Sequence, residues 1–542
     1  MKRLKFLAMM MIAISCLAFT ACSDDDDENG GEVRFSISSS TVALQLGQKD
    51  TLTCSFYPED LADKTVTWTT SDANVATVEN GVITAVGEGT ATVTATPAAN
   101  PAEAKTCAVS VVEHVETVSG EVSGTWSAYT TYMVNGQINV PEGQSLTIEE
   151  GVQVIFNGDD GTGTGTGIEF FINGNIYCNG TEDAPVLFSV AESQRTDANW
   201  IGAQNLWGGI FLNNKSDNAE ALFSHCHIEY VGSPVTDHSQ SYNEGIYTPG
   251  EDWGVQITAA PDFKGSLVVE NCVFNNGNAD AIYMQNGKAI ITHNTFYCNG
   301  ATGGEAVNVK AGTTTTVAYN VMYSPNTNGL KLSASGQNDE AGRHQSLCAA
   351  YNNTIVNAGW RRDGEKGGCV YVEKNILANV FNNLMVNCKF RAQAPSWGNP
   401  SADDGCDLKS VINYNCYVSG NVTSNFAQDQ EEGGIKTPYA GYTSDNKNYT
   451  DAIDQNSVIT EEDGAVAFVN FPLDNALDNV KYDSSWDFTA TTLPDGATDD
   501  ATLAHLSNSS YDMDYVNTGL TLNGTVYKAS APGRFFGAYA AE

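Results

Sequence analysis

The sequence predicts an all-β protein in which a small β-sandwich precedes a parallel β-solenoid. Three observations predict this fold class. A unit with alternating apolar residues around a central polar residue occurs seven times between residues 222 and 420. A second series of apolar pairs accompanies these units, and a stretch near the amino terminus contains at least five short alternating strands. In all three, the period of two indicates strands rather than helices.

The composition limits the classes of partner. The chain has 542 residues, of which 41% are hydrophobic, so it has ample material for more than one core. Its formal net charge of -39 repels nucleic acid and anionic lipid headgroups, and we expect no nucleic-acid partner. The same charge opposes the unassisted binding of a polyanionic glycan, although bound calcium would reverse the sign locally.

The first 21 residues have the features of an export signal. A basic start is followed by an apolar run and by small residues before Cys22, and the run is too short to span a membrane. The sequence FTAC resembles the lipobox of bacterial lipoproteins, which implies a lipidated Cys22. The acidic tether at 22–32 contains SDDDDE, which resembles the surface-export signal of Bacteroides-group lipoproteins. These resemblances imply a lipid anchor in the outer membrane and exposure at the cell surface.

Residues 33–113 are predicted to form the sandwich. Alternating runs such as TVTWTTSD and TCAVSVV are separated by turn residues, including Asn80-Gly81. The run VTWTTSDANVATVENGVITAVGEGTATVTAT resembles the group 2 bacterial immunoglobulin-like domain. That resemblance implies a spacer or adhesion module without catalytic residues.

Eleven cysteines fall in the two predicted domains. The alternation around Cys54 and Cys107 turns both thiols toward the interior of the sandwich. Two alternatives stay open for them, a disulfide formed after export or two buried free thiols. The other nine lie in the solenoid, several at repeat positions where they would pack as small apolar residues. No Cys or His spacing in the sequence suits zinc.

The solenoid prediction, for residues 114–425, depends on a column of polar residues. The unit LFSHCHIEYVG at 222–232 returns as ITHNTFYCNG, AYNNTIVNAG and VFNNLMVNC, among others. Alignment on the central residue gives one column at intervals of 22 to 46 residues: Cys226, Cys272, Asn294, Asn320, Asn353, Asn383 and Asn415. A short strand cannot bury its apolar side alone, so successive copies should stack and share a core. We expect the turn asparagines to adopt left-handed backbone and to hydrogen-bond between coils.

A second column consists of apolar pairs two residues apart. It gives each coil at least two inward-facing strands: Ile210/Leu212, Val255/Ile257, Ile282/Met284, Val307/Val309, Leu330/Leu332 and Val370/Val372. With both columns, residues 140–419 resemble the right-handed parallel β-helix proteins of the pectate-lyase type. We expect the ladder to stop after Asn421 and the acidic, loop-rich segment 426–542 to cover the last coil.

The alternation also predicts which side chains face outward. We expect one outward row to bind a sugar chain, since aromatic faces stack on pyranose rings and amides bind hydroxyl groups. Its members, with Trp253 from an insertion beside the row, are Phe211, Gln256, Tyr283, Asn308, Lys331 and Tyr371. A polar exterior with scattered aromatic residues is the alternative interpretation.

Catalysis would need more than this row. A β-elimination needs a base beside a cation, for which the candidates are Lys310, Lys331, Arg361 and Arg362. A glycoside hydrolase needs two opposed carboxyl groups, and the spacing of Asp237, Asp252, Asp280, Glu305 and Glu373 selects no pair. No metal site and no cofactor is predicted, apart from the calcium considered above.

The sequence therefore predicts a surface lipoprotein in which an immunoglobulin-like spacer carries a β-helix. We expect the β-helix to bind a polysaccharide or a host-surface glycan. Two alternatives remain: a polysaccharide lyase or glycoside hydrolase, and a structural adhesin that binds protein. A polysaccharide lyase or glycoside hydrolase requires a deep groove across the row, with Lys310 and Lys331 close together or two carboxyl groups about 5 to 9 Å apart. A binding module requires a shallow aromatic track and no pair of titratable groups with perturbed pKa values. A structural adhesin requires neither feature, but a large flat patch at the coil edges.

Overall fold

A computed structural model describes residues 33–301, 303–362, 367–390, 392, 405–407, 409–418, 454, 456–460, 462, 464–473, 480–481, 483–498 and 519–541. Within these residues the chain is nearly all β, with a small sandwich followed by long parallel sheets, so the predicted fold class is confirmed. Cys22, the predicted export signal and the acidic tether lie outside the described residues. No helix of the described part is long and apolar enough to cross a membrane.

The sandwich contains a four-stranded, a three-stranded and a two-stranded sheet. Its core consists of inward-facing residues such as Leu44, Ile83 and Val109, each no more than 4% exposed. The strands, grouped by sheet in that order, are Thr41–Gln45, Lys105–Val112, Gly89–Pro97 and Val66–Thr70; Lys49–Thr51, Val82–Ala85 and Ala76–Glu79; and Arg34–Ile37 with Cys54–Tyr57. A short 3₁₀ helix, Pro101–Glu103, joins two of them.

The disulfide considered for this domain is not formed. Cys54 lies opposite Ile37 in the two-stranded sheet, whereas Cys107 lies opposite Val93 in the four-stranded sheet. Both thiols are free, and Cys54 is half-buried rather than fully inside the core. Burial raises the pKa of the Cys107 thiol, which favours its unreactive protonated form.

The solenoid has three parallel ladders rather than the minimum of two that the sequence required. We call them sheets A, B and C in the order in which each coil visits them, and sheets B and C join along one edge. Sheet A contains Gly124–Trp126, Ser145–Ile148, Asn175–Asn179, Glu220–Ser224, Ser266–Glu270, Gly287–Thr292, Thr313–Ala318, Leu347–Tyr351, Leu377–Phe381 and Val411–Ile412.

Sheet B contains the strands that follow the polar column. They are Gln153–Phe156, Val186–Val190, Cys226–Glu229, Val273–Asn275, Thr295–Tyr297, Val321–Tyr323, Thr354–Val356, Leu384–Val386, Cys416–Val418 and Val458–Thr460. Sheet C contains Glu169–Ile172, Gly209–Leu212, Val255–Ala259, Ile282–Met284, Val307–Val309, Asn328–Ser333 and Gly368–Glu373. Two long strands, His114–Glu121 and Thr130–Val140, open the solenoid.

The polar column forms one continuous ladder, as predicted. Each asparagine amide donates from Nδ2 to Oδ1 of the next coil's asparagine at 2.9 to 3.0 Å. The same oxygen also accepts the backbone N–H of the preceding coil. The five members are at most 1% exposed: Asn294, Asn320, Asn353, Asn383 and Asn415.

Left-handed backbone is found at turn asparagines, as expected, but not at the ladder asparagines themselves; those turn positions are Asn271, Asn276, Asn352, Asn357, Asn382 and Asn387. The left-handed residue is the one before each ladder position, and a second left-handed position follows four residues after it. The first set is His225, Asn271, His293, Tyr319, Asn352, Asn382 and Tyr414, with φ between 50° and 59°. After this turn the next side chain lies in the core, where the ladder amide bonds along the axis.

The described part of the carboxy-terminal segment adds a strand to the solenoid, so the expectation that the ladder stops after Asn421 was wrong. The strand Val458–Thr460 pairs in parallel with Cys416–Val418, so the ladder continues beyond Asn421. The described part of the remainder runs along the sides of the coils as two hairpins and a tail. The hairpins are Ala467–Asn470 with Asp487–Thr492, and Leu520–Leu522 with Thr525–Tyr527.

The tail is held by the same left-handed turns. The hydroxyls of Tyr319 and Tyr351 donate to the carbonyls of Ala531 and Ser530. The side chain of Asn352 donates to the Phe535 carbonyl at 2.7 Å. The segment therefore covers the edge between sheets A and B.

Removing one ladder amide tests the stacking directly. In Asn353→Ala, the neighbouring Asn320 and Asn383 each lose a buried partner, and we expect the free energy of unfolding to fall by about 2–4 kcal/mol. Urea denaturation followed by circular dichroism measures this change. Asn218→Ala, at an exposed turn, is the control and should change stability by less than about 0.5 kcal/mol. Equal effects of the two substitutions would show that the ladder does not stabilise the coils.

Candidate functional site

The outer face of sheet C is the part of the solenoid where a ligand could reach a row of side chains. On sheet A, Leu522 of the second hairpin packs against Leu222, Val268 and Ile290. On sheet B, rings of the first hairpin pack against Tyr297 and Tyr323. The first coils of sheet C are covered by an insertion at 233–253, which includes the short helix Gln240–Asn243. Among the described residues, the accessible outer row therefore begins at Tyr283.

Two members of the predicted outward row are buried, which corrects that prediction. Phe211 does face outward but is 0% exposed, because it stacks on Phe171 and lies under Tyr247 of the insertion. Gln256 is also 0% exposed, and its amide accepts from Asn299 and donates to the Ile228 carbonyl.

The Gln256 error comes from the register of one strand. Sheet C has an irregularity between Gly209 and Ile210, so that Ile210 pairs with Ile257 and Phe211 pairs with Thr258. The inward pair of this coil is therefore Ile257/Ala259 rather than Val255/Ile257. From that coil onward, Tyr283, Asn308, Lys331 and Tyr371 form one row in the predicted register.

A cleft of about 340 Å³ opens where the insertion meets this row. Its wall on the insertion side includes Tyr247, Asp252 and Trp253, so Trp253 does line the cleft as the predicted site required. The complete lining is Ile246, Tyr247, Glu251, Asp252, Trp253, Val255, Ala279, Asp280, Tyr283, Gly303 and Asn308. The cleft thus combines three aromatic rings, three carboxyl groups and one amide.

Asp280, in the lining of the cleft, is stacked against a second carboxyl group, that of Glu305 in the next coil. Asp280 Oδ1 accepts the backbone N–H of Glu305 and Oδ2 accepts Asn308 Nδ2, both at 2.8 Å. Glu305 is 7% exposed, and its Oε1 accepts Asn328 Nδ2 from the following coil. Burial first, and then the Asp280 charge, raise the pKa of Glu305 to about 8. The sequence offered both residues as carboxylate candidates without pairing them.

The structure also brings Lys310 and Lys331 together, as the lyase hypothesis required. Burial lowers the pKa of Lys310, and the neighbouring charge of Lys331 lowers it further. Each ammonium lies near a tyrosine ring, Lys310 at 5.7 Å from the centre of Tyr283 and Lys331 at 5.4 Å from that of Tyr371. Lys331 also pairs with Glu373 at 3.6 Å.

Arg361, one of the two arginine candidates, bonds backbone carbonyls. Arg361 donates to the carbonyls of Asn299, Gly300 and Ser324, and it lies 6.0 Å from the centre of a Trp200 ring. The backbone carbonyl of Arg362 accepts from Lys389. None of these contacts involves a residue that lines the cleft. No three His, Cys, Asp or Glu side chains of the described part are placed to hold a metal ion.

One buried carboxylate that the sequence did not single out fixes the wall of the cleft. Glu169 is 3% exposed and accepts from both the backbone and the hydroxyl of Ser241 in the insertion. The Tyr247 hydroxyl, further along the insertion, bonds Thr258 of sheet C at 2.6 Å. A Glu among the apolar residues of EFFI was the available signal, since a buried charge needs a partner.

The pH dependence of stability tests this tether. Burial raises the pKa of Glu169 from 4.5 to about 6, so the folded state binds its proton more tightly than the unfolded chain does. This stabilisation is complete below pH 4.5 and is lost as the pH rises through 6, a change of about 2 kcal/mol. Urea unfolding should therefore show the stability of the wild type falling relative to Glu169→Gln between pH 4.5 and 7.5. A difference that stays constant with pH would contradict the assignment.

Comparisons with known proteins agree with this architecture. The family described as "Bacterial Ig-like domain (group 2)" matches residues 33–109, and the family described as "Pectate-lyase like beta helix domain" matches residues 117–243. The second match ends before Trp253, Asp280 and the lysines, so the cleft is not part of it.

Similar proteins cover only short stretches. A 3-O-alpha-D-galactosyl-alpha-L-arabinofuranosidase of Bifidobacterium longum is 43% identical over 76 residues, which is 14% of this chain and 7% of that enzyme. Two uncharacterized proteins of Clostridium acetobutylicum are 44% and 42% identical over 73 and 69 residues, 13% and 12% of this chain. The chain spans 18% of the first and 7% of the second. From these matches and the fold, the chain carries a group 2 bacterial Ig-like domain followed by a pectate-lyase-like β-helix domain.

Proposed function

We propose that this protein binds an uncharged glycan in the cleft beside sheet C. A pectate-lyase-like β-helix indicates a carbohydrate-active protein, and the composition of the cleft supports the more specific proposal. The observation that carries it is the convergence of Tyr247, Trp253 and Tyr283 with hydrogen-bonding carboxyl and amide groups. Sugars present apolar ring faces and a rim of hydroxyls, which need these two kinds of partner.

The hydrogen-bonding groups are held in place before a ligand arrives. Asp280 accepts two donors from the next coil, and Asp252 accepts the backbone N–H of Thr248 within the insertion. Fixed acceptors lose little conformational entropy on binding, so a glycan of a few residues can bind with useful affinity. The backbone of Trp253 pairs with that of Pro234 in an isolated antiparallel bridge, which holds Trp253 in place.

The charge of the cleft favours a neutral ligand over a uronate polymer. Its lining includes Glu251, Asp252 and Asp280 but no cationic side chain. The formal charge of -39 on the whole chain adds a repulsive field for any polyanion. Calcium bridging would be needed for a polyuronate to bind.

The remaining domains support a role at the cell surface. The proposal places lipidated Cys22 in the outer membrane, with the Ig-like domain as a spacer that holds the β-helix away from the membrane. The Bifidobacterium relative acts, by its name, on an arabinofuranoside, and the short match supports a carbohydrate context without assigning that substrate.

A glycan-binding experiment with matched variants tests the proposal. The full chain should bind neutral oligosaccharides on a glycan array and should bind polygalacturonate weakly unless calcium is added. Trp253→Ala removes a stacking face and should lower affinity at least tenfold, about 1.4 kcal/mol, by isothermal titration calorimetry. Tyr242→Ala, on the same insertion but 44% exposed and outside the cleft lining, is the control and should bind as the wild type does.

Either of two results would overturn this proposal. Calcium-free binding of polyuronates in preference to every neutral glycan would contradict the charge argument. Equal losses from Trp253→Ala and Tyr242→Ala would show that the cleft is not the site.

A second candidate function is cleavage of an acidic polysaccharide by β-elimination. It is favoured by the lowered pKa of Lys310, which increases the neutral fraction able to remove a proton next to a carboxylate. Lys331 beside it would neutralise the substrate carboxylate. Against it, Glu305, Asp280 and Glu373 surround the lysines with negative or titratable groups.

An absorbance assay separates cleavage from binding. If the second function holds, polyuronates incubated with the chain should give an unsaturated product that absorbs ultraviolet light. Lys310→Ala should reduce that rate at least a hundredfold because it removes the base. Lys288→Ala, which changes an exposed lysine on sheet A, is the control. We expect no product from the wild type, as binding is the favoured function.

A further inference from the structure

We propose that Glu305 is a positioning residue whose carboxyl shares one proton with Asp280 and thereby holds Asp280 in the orientation that binds a sugar. The inference rests on the proposed glycan-binding function and deepens it. It assigns a role to a residue that does not itself line the cleft.

The pairing follows from the stacking of coils. Ile282 pairs with Val307 and Val307 pairs with Leu330, so the positions two residues earlier fall in one column along the axis. That column is Asp280, Glu305 and Asn328. Backbone hydrogen bonds from Ala281 to Glu305 and from Ala306 to Asn328 hold the column in register. Adjacent coils lie about 4.8 Å apart, which brings the two carboxyl groups into contact.

The packing of the two groups favours one proton between them. Both Asp280 oxygens accept conventional donors, from the Glu305 backbone and from Asn308. Glu305 Oε1 accepts Asn328 Nδ2 at 3.3 Å, and the residue is 7% exposed. Two adjacent buried carboxyl groups are more stable when one of them carries a proton that the other can accept. Among the described residues, no cation lies within ion-pair distance of either carboxyl group that would replace that proton.

The surrounding charges leave this proton in place at neutral pH. Lys310 and Lys331 face Glu305 and favour its ionised form, but burial and Asp280 outweigh them. Lys331 is paired with Glu373, while Tyr283 and Arg343 interact with each other on the Asp280 side. Above about pH 8, Glu305 loses its proton, and two adjacent carboxylates then repel each other. Asp280 consequently loses a partner and its fixed orientation.

The Asn308 amide points to a ligand at the same place. Its Nδ2 donates to Asp280, but its Oδ1 is buried without a hydrogen-bond partner in the described structure, and the residue is 6% exposed. An unpaired buried acceptor is costly. A sugar hydroxyl held by Asp280 would lie within reach of this amide and could supply the missing donor.

The first test needs no ligand. Infrared difference spectra of the full chain, wild type minus Glu305→Gln, should show a protonated carboxyl band at pH 7 that disappears as the pH passes about 8. Absence of that band at pH 7 would overturn the shared proton whatever the binding results are. Glu270→Gln, which changes a half-buried carboxyl on sheet A, is the control and should leave the band in place.

The second test measures what the proton does for binding. Affinities for hexasaccharides of β-1,3-glucan, β-1,4-glucan, β-1,4-mannan and β-1,4-galactan are compared at pH 6.5 and pH 9.5 by calorimetry. The affinity of the wild type should fall at least tenfold at the higher pH. The affinity of Glu305→Gln should fall less than threefold, because its amide still donates to Asp280. Glu305→Ala should bind at least tenfold more weakly than the wild type at pH 6.5 and should remain weak at pH 9.5. A wild-type affinity unchanged with pH, or equal losses for the Gln and Ala variants, would overturn the positioning role.

The two tests keep the proposals apart. Binding without the expected pH dependence leaves glycan binding intact and overturns the role of Glu305. If the carboxyl band is present but the chain binds none of the four hexasaccharides and no glycan of the array, the proposed function is wrong. The role of Glu305 in positioning Asp280 for a sugar is then wrong as well.

Discussion

The structure depends on one repeated interaction, the hydrogen bond that each ladder asparagine makes to the asparagine of the next coil. From Asn320 to Asn383, every ladder amide donates to the next coil and accepts from the preceding one while buried in the core. A buried amide without these partners would cost free energy at each coil, so the ladder permits only in-register stacking. Where the column begins, Cys226 and Cys272 occupy it, and the Cys272 sulfur accepts the Cys226 backbone N–H at 3.3 Å. The ladder therefore fixes the spacing that every outward side chain inherits.

Stacking of the coils alone produces flat outer faces and no cleft. The segments that cover sheets A, B and C determine where a ligand can reach the solenoid. The carboxy-terminal hairpins cover the outer faces of sheets A and B with apolar contacts. The insertion covers the first coils of sheet C and is fixed there by Ser241 and Tyr247. Trp253, at the end of the insertion, forms part of the wall of the cleft. The cleft opens where the insertion no longer covers sheet C.

The periodic features of the solenoid could be predicted from the sequence, whereas its irregularities could not. The ladder asparagines and the inward pairs from Ile282 onward were predictable because stacking enforces a strict repeat. Gln256 was placed wrongly because it is the extra residue of an irregularity between Val255 and Ile257, where the alternation is interrupted and the Gln256 side chain bonds the Ile228 carbonyl instead of facing outward. The burial of Phe211 could not be predicted, since it depends on where an insertion folds back. The stacking of Asp280 on Glu305 could have been predicted, because each lies two residues before an inward pair. The alternation of apolar and polar residues did not distinguish these two carboxyl groups from the others.

The unusual protonation states of the site follow from the same spacing that stabilises the fold. In a stacked solenoid, a titratable residue that recurs in the same position of adjacent coils has a like group about 4.8 Å away. Like charges at that distance in a buried setting cannot both persist, so one must become neutral. Burial, and then the Asp280 carboxyl in the same position one coil away, raise the pKa of Glu305. Burial, and then the diagonal neighbour Lys331, which stacks on Asn308, lower the pKa of Lys310. A chain with 65 acidic residues could have placed them all in solvent. Two acidic residues stacked instead beneath an aromatic cleft carry a cost in free energy that a role in ligand binding accounts for.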